Sequence, residues 1–144
     1  MAAYYVDSAG SNTSPYDTWA KAATSFATAV AAATASGDVI YVDQGFTETL
    51  AANTAYTFAN HVSVICSNDK TNAPPQILGA MGASAWIGHT ATSYQITING
   101  GYKVFIYGLT FRTAGSSSAA QLIICNTDNA HFEFENVYFW TGSS

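Results

Sequence analysis

The chain has 144 residues, 49% of them hydrophobic and only 9% charged, with nine acids against four bases and a formal net charge of -5. That length suits one domain able to bury about two-thirds of the surface its unfolded form exposes. Four bases, Lys21, Lys70, Lys103 and Arg112, make no stripe that tracks phosphates, so nucleic acid is not an expected partner.

The opening MAAYYVDSAG lacks the basic and apolar segments of a secretory signal, so no export by the chain's own sequence is expected. Tyr4, Tyr5 and Val6 predict a short strand that stops at the turn-forming run DSAGSNTSPYD. From Trp19 the apolar positions fall at Ala22, Ala23, Phe26, Ala29, Val30 and Ala33, a spacing of three and four that predicts one helix. Asp17 or Thr18 suits its amino-terminal cap, and Gly37 the left-handed position that ends it. The weakly apolar stretch from Phe26 to Ala35 is broken by Thr28 and Thr34 and is too short to cross a bilayer, so no membrane partner is expected.

After Gly37 the period becomes two. DVIYVD, HVSVIC, YQITI, YKVFIYGLTF, LIIC and HFEFENVYFW alternate and are rich in β-branched and aromatic residues, with polar corners between them. Residues 1–37 therefore form strand, loop and helix, and 38–144 one continuous β domain. YKVFIYGLTFR and HFEFENVYFW also repeat in register. Val104 matches Phe132, Ile106 Phe134, Gly108 Asn136, Leu109 Val137 and Phe111 Phe139, each 28 residues apart (132 minus 104). Tyr94 and Leu122, and Ile96 and Ile124, share that offset.

A strand, a tight Gly or Asn corner and a second strand repeating at this period predict a solenoid, in which each coil covers the inner side chains of the one before. Gly108 and Asn136 are expected in left-handed corners. The competing fold, a sandwich of antiparallel hairpins, has one suitable turn, Asn99-Gly100.

The segment YYVDSAGSNTSPYDTWAKAATSFATAVAAATASGDVIYVDQGFTETL resembles the amino-terminal region of pectin-lyase-like right-handed parallel β-helix proteins. The matching pieces are Tyr5, Val6 and Asp7, then Trp19 and Lys21, then Gly37, Asp38, Ile40, Tyr41, Val42 and Gly45. The resemblance implies an all-β fold, a right-handed parallel β-helix with an amino-terminal capping α-helix, here the amino-terminal portion of a longer β-helix. The chain stops at FWTGSS without a cap, so further chain or a partner is expected over the last coil.

The same family contains polysaccharide lyases, hydrolases, adhesins and phage tailspikes, so the fold leaves function open. Lyase members use clustered acidic Ca²⁺ ligands with a basic proton acceptor, and no such acidic cluster is found here. Hydrolase members group several Asp residues on one sheet, where NTDNA offers only Asp128. The remaining constellation lies on the repeated strands. With Phe132 and Phe134 inward, His131, Glu133 and Glu135 face out beside Lys103, Phe105 and Tyr107. Glu133 and Glu135 would stand about 6.6 Å apart along the strand, near the spacing that admits a water between two glycosidase carboxylates. The plainer reading is a soluble face over buried phenylalanines.

Among the tryptophans, Trp86 in the MGASAWIGH loop is the better ligand candidate, Trp140 also suits sugar stacking, and Trp19 is expected to seal the helix against the first coil. His61 and His89 read as surface or hydrogen-bonding residues. Asp7, Asp17, Asp38 and Asp43 read as turn and cap residues. Cys66 and Cys125 read as buried small hydrophobes rather than as a disulfide or a catalytic thiol. No metal or cofactor is implied.

A β-helix without an export signal suits a bacteriophage virion protein, in capsid decoration or tail attachment. Its partners are then other virion proteins or identical subunits, the homotrimer being what the tailspike resemblance implies, with a surface glycan as a further partner. The alternative is a polysaccharide-processing enzyme or glycan-binding domain working outside the cell.

Overall fold

The structure is a computed structural model that describes residues 1–77, 85–89, 94–114, 123–126 and 130–142. It contains mostly strands, and every strand pairing among the described residues is parallel. The first strand, β1 (Ala3–Val6), pairs with β2 (Asp38–Asp43). Then come β3 (Thr47–Thr49), β4 (Thr54–Thr57), β5 (Val62–Ser67), β6 (Trp86–His89), β7 (Ile96–Asn99) and β8 (Lys103–Tyr107). The last four are β9 (Thr110–Ala114), β10 (Ile123–Asn126), β11 (His131–Glu135) and β12 (Tyr138–Gly142).

These strands form three sheets. Sheet one has the order β1-β2-β5-β8-β11, sheet two β12-β9-β6-β3 and sheet three β10-β7-β4. From β2 onward the chain visits sheets one, two and three in turn and then returns to sheet one. The Asn99-Gly100 pair therefore makes no hairpin, because β7 and β8 lie in different sheets.

Alternation sets which side chains meet. In sheet one, Ile40, Val64 and Ile106 stand opposite one another, as do Val62 and Val104, and all five are buried. They meet Ile87 and Phe111 from sheet two and Ile96, Ile98 and Tyr56 from sheets three's strands in one core. β-branched residues pack well in such columns because their stiff side chains lose little freedom on a pleated surface.

The repeat read from the sequence holds in two ladders. Val104 faces Phe132, Ile106 faces Phe134 and Phe111 faces Phe139. Gly108 (φ 76°) and Asn136 (φ 52°) both occupy left-handed corners, and the Gly108 N–H donates to the Glu135 carbonyl at 3.0 Å. In sheet three the offset is 27 (123 minus 96), so Ile96 faces Ile123 and not Ile124. The connection from β10 to β11 holds one residue more than that from β7 to β8, and this absorbs the difference. Leu122, matched to Tyr94 in the sequence, lies outside the described residues.

The single long helix expected from Trp19 is two pieces. Trp19–Lys21 form one 3-10 turn capped by Thr18, and α1 spans Phe26–Ala32 with Ser25 as its cap. Between them Ala23 leaves the helical path to pair with the edge of β1. Its N–H donates to Tyr5 O at 2.8 Å and its carbonyl accepts from Asp7 N at 3.0 Å. Exposed donors and acceptors on a strand edge outweigh the weak helix preference of two alanines. The stripe still forms within α1, where Phe26, Ala29 and Val30 are buried against the core. Gly37 is left-handed (φ 87°), at the turn into β2 and beyond the helix end at Ala33.

Carboxylates hold the connections, as expected of Asp at turns. Asp38 accepts from Ala2 N at 2.8 Å and Ala35 N at 2.9 Å. Lys70 joins Asp7 (2.7 Å) to Asp43 (3.2 Å), and Asp17 pairs with Lys21 at 3.1 Å. Buried Asp69 organises the loop after β5, accepting from Gln76 N, Thr71 N, Asn72 Nδ2 and the Thr71 hydroxyl. These bonds, led by that from Gln76 N, hold its carboxyl far below the usual range.

Two predictions follow from this packing. Phe111→Ala is expected to cost about 3–5 kcal/mol in denaturant unfolding, with Phe139→Ala costing less than half as much because 46% of Phe139 is already exposed. A group whose folded pKa is depressed stabilises the fold above its unfolded pKa and loses that contribution as pH falls. The wild type should therefore lose stability below about pH 4, and Asp69→Asn should be weaker at neutral pH with a flatter decline on acidification. Equal acid limbs in urea midpoints would remove that role from Asp69.

Candidate functional site

The outer face of sheet one carries the residues singled out by alternation. His131 stands opposite Lys103, Glu133 opposite Phe105 and Glu135 opposite Tyr107. His131, Glu133 and Glu135 are exposed, while Phe132 and Phe134 between them are half-buried against the core. Lys103 Nζ reaches Glu133 Oε2 at 3.0 Å. One rung back, His61 Nδ1 accepts from the Lys103 backbone N–H at 3.0 Å, which leaves its proton on Nε2, and its ring sits edge-on to Tyr102 at 5.5 Å.

These side chains border an open groove of about 440 Å³ whose lining includes His61, Ser63, Lys103, Phe105 and Glu133. Glu135 and His131 are not part of that lining. The groove thus presents one carboxylate, tied to a lysine, and not the facing pair that two-carboxylate glycoside hydrolysis requires.

A second surface lies on the outer face of sheet two. Trp86, expected in a loop, is the first residue of β6, drawn into the sheet by parallel pairing with Thr47 and Thr110. On the other side of β9, Trp140 pairs with Arg112. The Arg112 guanidinium lies over both indoles, 4.1 Å from the Trp140 ring centre and 5.5 Å from that of Trp86. Trp86, Thr110, Arg112 and Trp140 line a shallow groove of about 310 Å³.

Gly88 makes room for this arrangement. It faces Arg112 across the ladder, and a Cβ there would overlap the Arg112 carbonyl and come within 2.7 Å of the Arg112 Cβ. The signal for this contact in the sequence is the 28-residue repeat, which matches Arg112 to Trp140 as it matches Phe111 to Phe139. No offset of that kind reveals Trp86, because β6 and β9 are 24 residues apart (110 minus 86).

The remaining candidates have structural surroundings. Trp19, the first residue of the 3-10 turn, packs edge-on to Tyr5 at 4.8 Å, with Lys70 Nζ 5.5 Å from its ring centre. His89 is fully buried and its Nδ1 lies 2.8 Å from the Leu50 carbonyl, so Nδ1 carries the proton it donates there. Burial, with the Asp43 charge adding, pushes the Cys66 thiol up to about 12, far from a thiolate at neutral pH. Cys125, expected buried, is exposed, because it lies over Ile98 on the edge strand of sheet three. Burial also raises the Glu48 carboxyl, opposed by the N–H of Phe26 that it accepts at the start of α1. Asp128 lies outside the described residues.

Among the described residues no group of three or more His, Cys, Asp or Glu could hold a metal ion, and no helix is long and apolar enough to cross a membrane. No protein-family model, curated protein or solved structure matches this chain.

The close approach of Gly88 to Arg112 predicts that Gly88→Ala costs about 3 kcal/mol, the upper end of ordinary overpacking, since backbone cannot swing aside as a side chain can. Chemical denaturation followed by tryptophan fluorescence measures it. A loss under about 0.5 kcal/mol, the scale of a neutral surface change, would show that the ladder yields at this point.

Proposed function

We propose that the chain forms a right-handed parallel β-helix that serves as a structural bacteriophage virion protein, in capsid decoration or tail attachment. The repeated passage through sheets one, two and three, all in parallel pairing, supports the β-helical reading. Such a ladder bonds each strand to the rung before and the rung after, an arrangement suited to a particle that must survive outside a cell.

The observation that carries the assembly role is the unbroken parallel pairing of β2, β5, β8 and β11, a stiff ladder on which side chains of equivalent strands are displayed in line. Identical subunits, in a homotrimer, or other virion proteins are the proposed partners, and the virion or the extracellular space the proposed location.

Mass spectrometry of purified phage particles from the source culture tests this reading. The chain is expected in the particle fraction in stoichiometric ratio to the capsid or tail proteins. Its recovery only outside the particles overturns the proposal.

A second reading, a polysaccharide lyase or hydrolase or a glycan-binding domain, draws on the groove holding Glu133. Incubation with acidic and neutral polysaccharides separates the two. Turnover to reducing ends or unsaturated products, abolished by Glu133→Gln, favours the enzyme, while the virion reading predicts no product.

A further inference from the structure

We propose that the Trp86–Arg112–Trp140 groove on sheet two is a binding site for a carboxylate. The inference rests on this groove alone and does not depend on the virion reading.

The charge pattern is the first support. Among the described residues, Lys21 has a carboxylate at 3.1 Å, Lys70 has two at 2.7 and 3.2 Å, and Lys103 has one at 3.0 Å. Arg112 has no acidic partner among them. In a chain of net charge -5 with nine acids, a cation without an acid is out of keeping with the rest of the surface.

The second support is a pair of polar atoms sealed from water. Arg112 Nε and Thr110 Oγ1 are both buried and have no hydrogen-bond partner among the described residues. Thr110 as a whole is only 8% exposed. Both atoms belong to residues lining the groove. A buried donor left unmatched is destabilising, and an acceptor that displaces the side chains covering these atoms relieves that penalty.

Geometry selects the class of anion. Indoles from the strands on either side of β9 flank the guanidinium, their ring centres 5.5 and 4.1 Å from its central carbon, and no carboxylate among the described residues pairs with it. The planar fork of a guanidinium matches a planar two-oxygen acceptor in a bidentate pair. The Thr110 hydroxyl supplies a further donor. A phosphate dianion fits less well, because one arginine neutralises only half its charge within an already anionic protein.

Two sources share this chemistry, a free organic acid and the acid group of a uronic sugar. Titration of the whole chain with sodium glucuronate, sodium acetate, methyl glucoside and inorganic phosphate, read by tryptophan fluorescence and by the Arg112 Nε–H NMR signal, tests the proposal. Binding of glucuronate or acetate that shifts the Arg112 signal, with at least ten-fold weaker binding to methyl glucoside and phosphate, is the expected result. Tighter binding of glucuronate than acetate identifies the sugar acid as the source, and equal binding identifies the free acid.

Arg112→Gln should weaken carboxylate binding at least ten-fold and Thr110→Val about three-fold, with circular dichroism confirming the fold of each. The NMR arm stands on the unaltered protein if either variant misfolds. No carboxylate binding at tens of millimolar, equal binding of phosphate or methyl glucoside, or full affinity in a folded Arg112→Gln protein overturns the assignment.

Discussion

Parallel register between neighbouring strands is the constraint on which everything else in this molecule rests. In sheet one, Ile40, Val64 and Ile106 lie in line and are buried because each strand covers the one before it. A shift of one residue in any ladder would send that column to the outside and bring Ser63 and Phe105 within. The corners protect the register. Gly108 and Asn136 turn the chain from sheet one to sheet two at equivalent points, and only residues tolerant of left-handed angles do so without strain.

The same register makes the two outer surfaces. Whatever alternates with the buried column is displayed beside its counterparts on neighbouring strands, which puts Lys103 and Glu133 within 3.0 Å and Arg112 over Trp140 at 4.1 Å. The surfaces differ in chemistry. On sheet one the lysine and the carboxylate satisfy each other, so the groove there has little charge left to offer a ligand. On sheet two the cation is shared between two indoles and has no acid among the described residues, and a threonine hydroxyl beside it is unmatched. The stronger recognition chemistry is therefore away from the carboxylates that alternation first brings to notice.

Edges explain the exposed aromatics. Phe111 is wholly buried, while Phe139, stacked on it with ring centres 5.9 Å apart, is half uncovered, because among the described residues β9 has a strand on each side and β12 has one. Cys125 differs from Cys66 for the same reason, although both occupy inward positions. Burial here is a property of the rung and not of the residue type.

Much of this was legible in the sequence because its signals are local or periodic. Strict alternation gave the strand identities and the inward or outward sense of His131, Glu133 and Glu135, and the 28-residue repeat gave the pairing of β8 with β11 and β9 with β12. It held the Arg112–Trp140 contact as well. What was not legible depends on chain far away in sequence. The helix that broke at Ala23 did so for the edge of β1. The register of sheet three slipped by one because four residues separate β10 from β11 where three separate β7 from β8. Trp86 became a strand residue paired with Thr110, two residues before the Gly88 that faces Arg112. Periodicity along a chain specifies which face a side chain takes. Which strand lies beside it is decided only when loops of unequal length close and every backbone donor finds a partner.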